Sequence, residues 1–210
     1  MNKEYVWIES RTDAHNILLP GVLRVFDDQK IPFDSQILDA GCGGGYILHE
    51  LYRAGYSNLW GIDFSPSGIQ LAKNGAVGWG NRFSSHDVYV QRLPSGFPVA
   101  QYSAVLSVEV IEHLFDPKKY LQNIHSWMKS DGLLVLTTPY HGYLKNLAIS
   151  VLNKWDTHHT VDWDIGHIKF FSKATLGKML LENGFEPIGF YGLGRCWGLW
   201  NSMLIVARKN

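Results

Sequence analysis

The chain is poor in cysteine: Cys42 and Cys196 are its only two among 210 residues, far apart and in no CxxC pair. That excludes a disulfide framework and a cysteine-ligated zinc centre, and both are expected to be reduced thiols. Net charge is missing too. Lys plus Arg and Asp plus Glu each total 19, so no overall field draws the chain to phosphate backbones or anionic lipid, and a nucleic-acid partner is not expected. No apolar run approaches the ~18 residues of a membrane-spanning helix. Met1 to Arg11 has neither the basic start nor the apolar core of a secretory signal, so the expected location is the cytoplasm. Internal repeats and low-complexity linkers are absent as well.

Hydrophobic residues at 46% and charged residues at 18% describe a chain that folds unaided, and its length fits one domain. From about Ser35 onward short apolar runs alternate with helix-compatible stretches, a pattern that predicts an α/β fold around a mainly parallel sheet. Strands are expected at Gln36–Asp39, Leu59–Asp63, Phe83–Asp87, Tyr102–Val108, Gly132–Thr138, Phe185–Tyr191 and Ser202–Ala207. Between them, Ile47, Leu48, Leu51 and Ala54 form one apolar helical face. Ser65 and Pro66 read as N-cap and first residue of a second helix, Pro117–Met128 as another, and Ser172–Asn183 as a capped helix stopped by Gly184. A helix over 12–29 is expected to lie across the mouth of the sheet, and another is expected near Leu144–Trp155.

Asp39-Ala40-Gly41-Cys42-Gly43-Gly44-Gly45 falls between the first strand and its helix. Backbone must turn sharply there and let a ligand approach its amides, and glycine permits both. A dinucleotide fingerprint counted from Gly41 needs a third glycine where Tyr46 stands, whereas a D-x-G-x-G-x-G spacing is met in full. Pyrophosphate favours bare amides; S-adenosylmethionine, with its sulfonium and amino group, favours a carboxylate such as Asp39. Asp63 ends the second strand, at the carboxyl edge where α/β sheets bind ligands, and suits two ribose hydroxyls. Asp87 and Val88 follow the third strand, where a carboxylate and an amide suit an adenine edge.

The segments DAGCGGG, GIDFSP, HDV and SVEVIEHL resemble, in order and spacing, the class I S-adenosylmethionine-dependent methyltransferases over about residues 35 to 140. Val108 to Leu114 is most similar to the ubiquinone-biosynthesis O-methyltransferases. The resemblance implies a Rossmann-like fold with a mainly parallel seven-stranded sheet, helices on both faces and an antiparallel last strand. It implies that Asp39, Gly41, Gly43 and Gly45 hold the methionine end, Asp63 the ribose, Asp87 and Val88 the adenine, that Phe64 is also a cofactor-binding residue, and that Ser107 lines the pocket. The single domain then divides into an N-terminal helical cap (1–34), a cofactor-binding core (35–140), an acceptor-site lid insertion (141–171) and a closing helix with strands (172–210).

Methyl transfer from a sulfonium is an in-line displacement, for which an enzyme aligns the acceptor, excludes water and, for a hydroxyl, removes a proton. Histidine suits that last task near neutral pH, and five of the nine cluster in sequence where the acceptor is expected: His113, His141, His158, His159 and His167. His113 and His167 are the candidate catalytic residues. Glu109, Glu112 and His113 stand at i, i+3 and i+4, one face of a helical turn, and that set suits a divalent cation; the resemblance to O-methyltransferases that add a distant histidine to a Glu-x-x-Glu-His arrangement implies His167 as the further ligand. The other reading of the same residues is cofactor contact by Glu109 and first-turn capping by Glu112 and His113. Trp155 to Asp164 is expected to cover the site, with indole rings for a flat substrate. The expected reaction is methylation of a small molecule, on a hydroxyl oxygen, releasing S-adenosylhomocysteine. N- or carboxyl-methylation and cofactor binding without turnover are the alternatives, and the chain is expected to be a monomer or a homodimer.

Overall fold

The computed structural model describes residues 13–159 and 166–210. Seven strands form one sheet: β1 (Ile37–Ala40), β2 (Leu59–Asp63), β3 (Phe83–Ser85), β4 (Tyr102–Val108), β5 (Met128–Pro139), β6 (Phe185–Leu193) and β7 (Ser202–Lys209). Their order is β3-β2-β1-β4-β5-β7-β6, parallel from β3 to β5, with β7 antiparallel to both of its neighbours. The helices are α1 (Asp13–Asp28), α2 (Tyr46–Arg53), α3 (Pro66–Gly75), α4 (Pro117–Trp127), α5 (Tyr143–Val151), α6 (Trp155–His159) and α7 (Lys173–Glu182). The α/β class and the seven-stranded, mostly parallel sheet are therefore as expected.

Both faces of the central strands are covered, so successive residues serve opposite cores. Ile37, Ala104, Leu106, Val135, Leu204 and Val206 pack with α1, α2 and α3. Leu38, Val105, Leu134, Leu136, Met203 and Ile205 pack on the other side with α4 and α7. Alternation of period two across a two-sided sheet is why these strands read as unbroken apolar runs. α1 departs from expectation: Leu18, Leu19, Val22, Val25 and Phe26 are buried in the first of these cores, so the helix lies along the sheet face and not across its mouth. Its apolar stripe is too well matched to the sheet to be left over a solvent-filled opening.

Helix starts follow the sequence signals. The Ser65 hydroxyl accepts from the Gly68 amide, Asp116 accepts from the Lys119 amide, and Ser172 and Thr175 exchange the two bonds of a capping box. The stretch expected as one helix after β5 is two, because Asn153 takes a left-handed φ of 49° between α5 and α6. Asparagine is among the few side chains that tolerate this conformation. β3 is three residues long and stops before Asp87. Among the described residues no helix is long and apolar enough to cross a membrane.

Candidate active site

The parallel strands β1, β2 and β4 deliver their last residues to one edge, and that edge carries the acidic groups. Asp39 is 2% exposed and its Oδ1 has no hydrogen-bond partner. Burial, together with the neighbouring Asp63, pushes its carboxyl up to about 8. Gly41, Gly43 and Gly45 follow with φ of 96°, 50° and 78°. A Cβ on Gly41 would meet Val110 Cγ2 at 2.4 Å, so that position has neither the conformation nor the room for a side chain.

Asp63 braces this loop from the adjacent strand. Its Oδ2 accepts from the Gly43 amide and its Oδ1 from the Ser65 amide, both at 2.8 Å. Each oxygen keeps a further lone pair for a ligand hydroxyl. Phe64 beside it is 66% exposed, an unusual state for a large ring at a strand end. Asp87 Oδ1 accepts from the Tyr89 amide at 2.8 Å, and the Val88 carbonyl is anchored by Asn123 Nδ2 at 2.9 Å. Ser107 differs from expectation. It is completely enclosed and its Oγ lies 3.0 Å from the Tyr120 hydroxyl, which also donates to the Ala40 carbonyl. The serine ties β4 to the floor below the glycine loop and does not line the opening.

Beyond β4 the backbone does not form the helical turn that an i, i+3, i+4 face requires. Glu109 has a left-handed φ of 53° and only Ile111–His113 makes a 3₁₀ turn, the helix itself starting at Pro117. Glu109 is consequently directed to the neighbouring strands: its Oε1 accepts from Thr137 Oγ1 at 2.9 Å and its Oε2 from Ser202 Oγ at 3.5 Å. Desolvation raises its carboxyl to about 7. Glu112 is fully buried, with Oε2 accepting from Thr138 Oγ1 at 3.0 Å and Oε1 without a partner. Its carboxyl is pushed well above the usual range by burial and then by Glu109.

The chain returns to this point with Ile168, 56 residues after Glu112. Ile168 and Lys169 both donate their amides to the Glu112 carbonyl at 3.0 Å, and His167 comes to rest with its ring 4.9 Å from that of His113. Ligand atoms of Glu112, His113 and His167 lie within 4.8 Å of one another. Of the expected cation set, then, Glu112, His113 and His167 converge, and Glu109 does not belong to it. A buried carboxylate oxygen lacking a partner beside two imidazoles fits a divalent ion by donor chemistry. The other histidines expected at the acceptor form a second group: the rings of His141 and His159 are 5.6 Å apart and those of His158 and His159 5.0 Å apart. Of the expected lid, Thr160 to Asp164 lie outside the described residues. Lys145, on the buried face of α5 with Nζ donating to the Asn201 carbonyl at 3.2 Å, was not foreseen. A lysine on an amphipathic helix carries no sequence mark that distinguishes it from a solvated one.

Comparison with known proteins agrees with this architecture. A methyltransferase-domain family model matches residues 11–188, and the chain belongs to that family. It is 29% identical over 157 residues to a ubiquinone biosynthesis O-methyltransferase of Ruegeria pomeroyi, covering 73% of this chain and 60% of that protein. Its counterpart from Dinoroseobacter shibae is 28% identical over 181 residues, covering 81% and 70%. The chain spans 60 to 65% of the length of the first such relatives. Among solved structures, magnesium protoporphyrin IX methyltransferase of Synechocystis with bound S-adenosylhomocysteine superposes with a TM-score of 0.68 at 20% identity, over 92% of this chain and 82% of that one.

Proposed function

We propose that the chain transfers a methyl group from S-adenosylmethionine to a hydroxyl oxygen of a small molecule. The observation that carries the donor half is Asp39: a buried carboxylate with an unpartnered oxygen, set directly before a glycine loop whose conformation excludes side chains. Such a group is costly to keep in an empty protein and is relieved by a cationic ligand. Asp39 takes the amino end of the donor, the Gly41 to Gly45 backbone its carboxylate end, Asp63 the ribose hydroxyls, Asp87 and Val88 the adenine, and Phe64 packs over the opening.

For the acceptor half the reading rests on Glu112, His113 and His167, which would hold a divalent cation; an ion there supplies a Lewis acid that lowers the pKa of a bound hydroxyl. Without an ion, His113 or His167 would instead take the hydroxyl proton as a neutral imidazole. Tyr120 and Ser107 fix the floor, and the β4 to α4 segment is held between Thr137, Thr138 and the 166–171 segment. The curated relatives named O-methyltransferases support oxygen as the acceptor atom.

The test is calorimetric titration with S-adenosylmethionine and S-adenosylhomocysteine, followed by transfer of labelled methyl groups to a panel of phenols, amines and carboxylic acids with and without chelator. Binding lost in Asp63→Ala, and chelator-sensitive labelling of phenols, is the expected outcome. Tight donor binding with labelling of amines or acids alone would replace the oxygen reading by N- or carboxyl-methylation. Donor binding without any labelling would leave a non-catalytic adenosyl-binding protein.

A further inference from the structure

A cavity of about 180 Å³ opens between α5, α6 and the start of α7, lined by His141, Asn146, Trp155, His159, Phe170, Ser172 and Thr175. We propose that it receives an oxyanion, a carboxylate or phosphate carried on an aromatic ring of the acceptor; this rests on the methyl-transfer reading above. His141 and His159 are each 8% exposed, and the Nε2 atom of each has no hydrogen-bond partner. Two buried imidazole nitrogens without partners on the wall of one cavity are the mark of a ligand group, since leaving them unsatisfied costs free energy. Asn146 bonds the His141 ring, which fixes its orientation.

The sign of the missing group follows from what surrounds the cavity. Ser172 and Thr175 are the N-cap and first turn of α7, so the positive end of a ten-residue helix faces it. Burial first, and Lys145 after it, disfavours protonation of His141, His158 and His159; Lys145 would disfavour a metal ion likewise, and Arg195 adds to it at His158. Of the carboxylates on neighbouring elements, Glu109 is turned toward Thr137 and Ser202 and Asp156 of α6 is exposed to solvent. With the proton of each neutral imidazole on Nε2, the tautomer an anion would select, two N–H donors, a helix N-terminus and a buried ammonium together favour an anion. Trp155 and Phe170 supply flat apolar walls for the ring that bears it.

The experiment titrates the full chain, saturated with S-adenosylhomocysteine, with benzoate, phenyl phosphate and the neutral isostere benzamide. At least one anion is expected to bind ten-fold or more tightly than benzamide, and whichever of benzoate and phenyl phosphate binds more tightly names the group. A His141→Gln, His159→Gln double variant is expected to lose that preference ten-fold, and Lys145→Met to weaken it, while S-adenosylhomocysteine affinity stays unchanged and certifies the fold. Equal binding of benzamide and the anions, or an anion preference that survives the double variant, overturns the proposal. Zinc binding that the double variant abolishes, without anion binding, overturns it in favour of a cation. Failure of S-adenosylhomocysteine to bind the wild-type chain would sink the methyl-transfer reading instead, so the two failures are distinguishable.

Discussion

Affinity for S-adenosylmethionine should climb steeply with pH below neutrality, and Asp39 sets the slope. In the free protein its carboxyl sits at about 8, held up chiefly by burial and further by Asp63. At pH 6, two units lower, roughly 1% of Asp39 is ionised, yet a cationic ligand selects that form, so each pH unit below 7 costs about a tenfold loss of affinity. Binding in that range releases about one proton, measurable by calorimetry in buffers of different ionisation enthalpy. The donor's own amino group titrates near ~7.7–8.0, so the slope is read between about pH 5.5 and 7. The linkage has a definite sign. Folded Asp39 binds its proton more tightly than the unfolded chain does, so the free protein loses stability as pH rises from the ordinary carboxyl range toward 8. The bound protein escapes that loss, and the thermal shift on adding S-adenosylmethionine grows over the same interval. Asp39→Asn should bind weakly with a flat profile. A wild-type affinity independent of pH from 5.5 to 7, with no proton released, would refute the assignment of Asp39 to the donor's cationic end.

Three further perturbations read other parts of the site. Gly41→Ala forces a side chain into a left-handed conformation and against Val110, with a backbone cost of about 1–2 kcal/mol before the clash is counted; a lowered midpoint in urea and loss of donor binding should appear together. Tyr120→Phe removes the hydroxyl shared by Ala40 and Ser107, worth about 1 kcal/mol or roughly 2–4 °C in Tm, and should leave donor affinity within about twofold; a change as large as that of Asp63→Ala would mean that the Tyr120–Ser107 pair touches the ligand. Glu112→Gln and His167→Ala should each weaken Mn²⁺ binding, seen by calorimetry, by at least about tenfold, whereas Glu109→Gln should not, because Glu109 is committed to Thr137 and Ser202.

How far the sequence could be read depended on whether a feature is local. β2 and β4 fall where the short apolar runs put them, and Ser65 and Ser172 cap the helices that follow them. Asp39, Gly41 to Gly45 and Asp63 were legible because each stands at the end of a strand that parallel pairing carries to the same edge. Ser107 obeyed the same rule and still went elsewhere: its neighbour Tyr120, thirteen residues on, captures the hydroxyl, and nothing in the spacing declares that contact. Glu109 misled for a different reason. Its spacing to Glu112 and His113 is helical, but a left-handed residue at the strand end separates it from the turn.

The proposed acceptor side stands in the sequence as a concentration of histidines and not as a geometry. Its groups come from the end of β4, the end of β5, α5, α6, the 166–171 segment, the α7 cap and the start of β7, and only tertiary folding brings them to one place. That division has a consequence for substrate recognition. The donor pocket is made by backbone turns and strand ends, which any sequence of this pattern must form alike, so it specifies little about the acceptor. Lys145, His141 and His159 sit on elements that contribute few residues to the two cores, and substitutions there alter the cavity without disturbing the sheet. Exchange of the α5 to α6 segment should therefore change which acceptors are methylated while leaving donor affinity intact, and a parallel loss of both would show that the two halves are built as one.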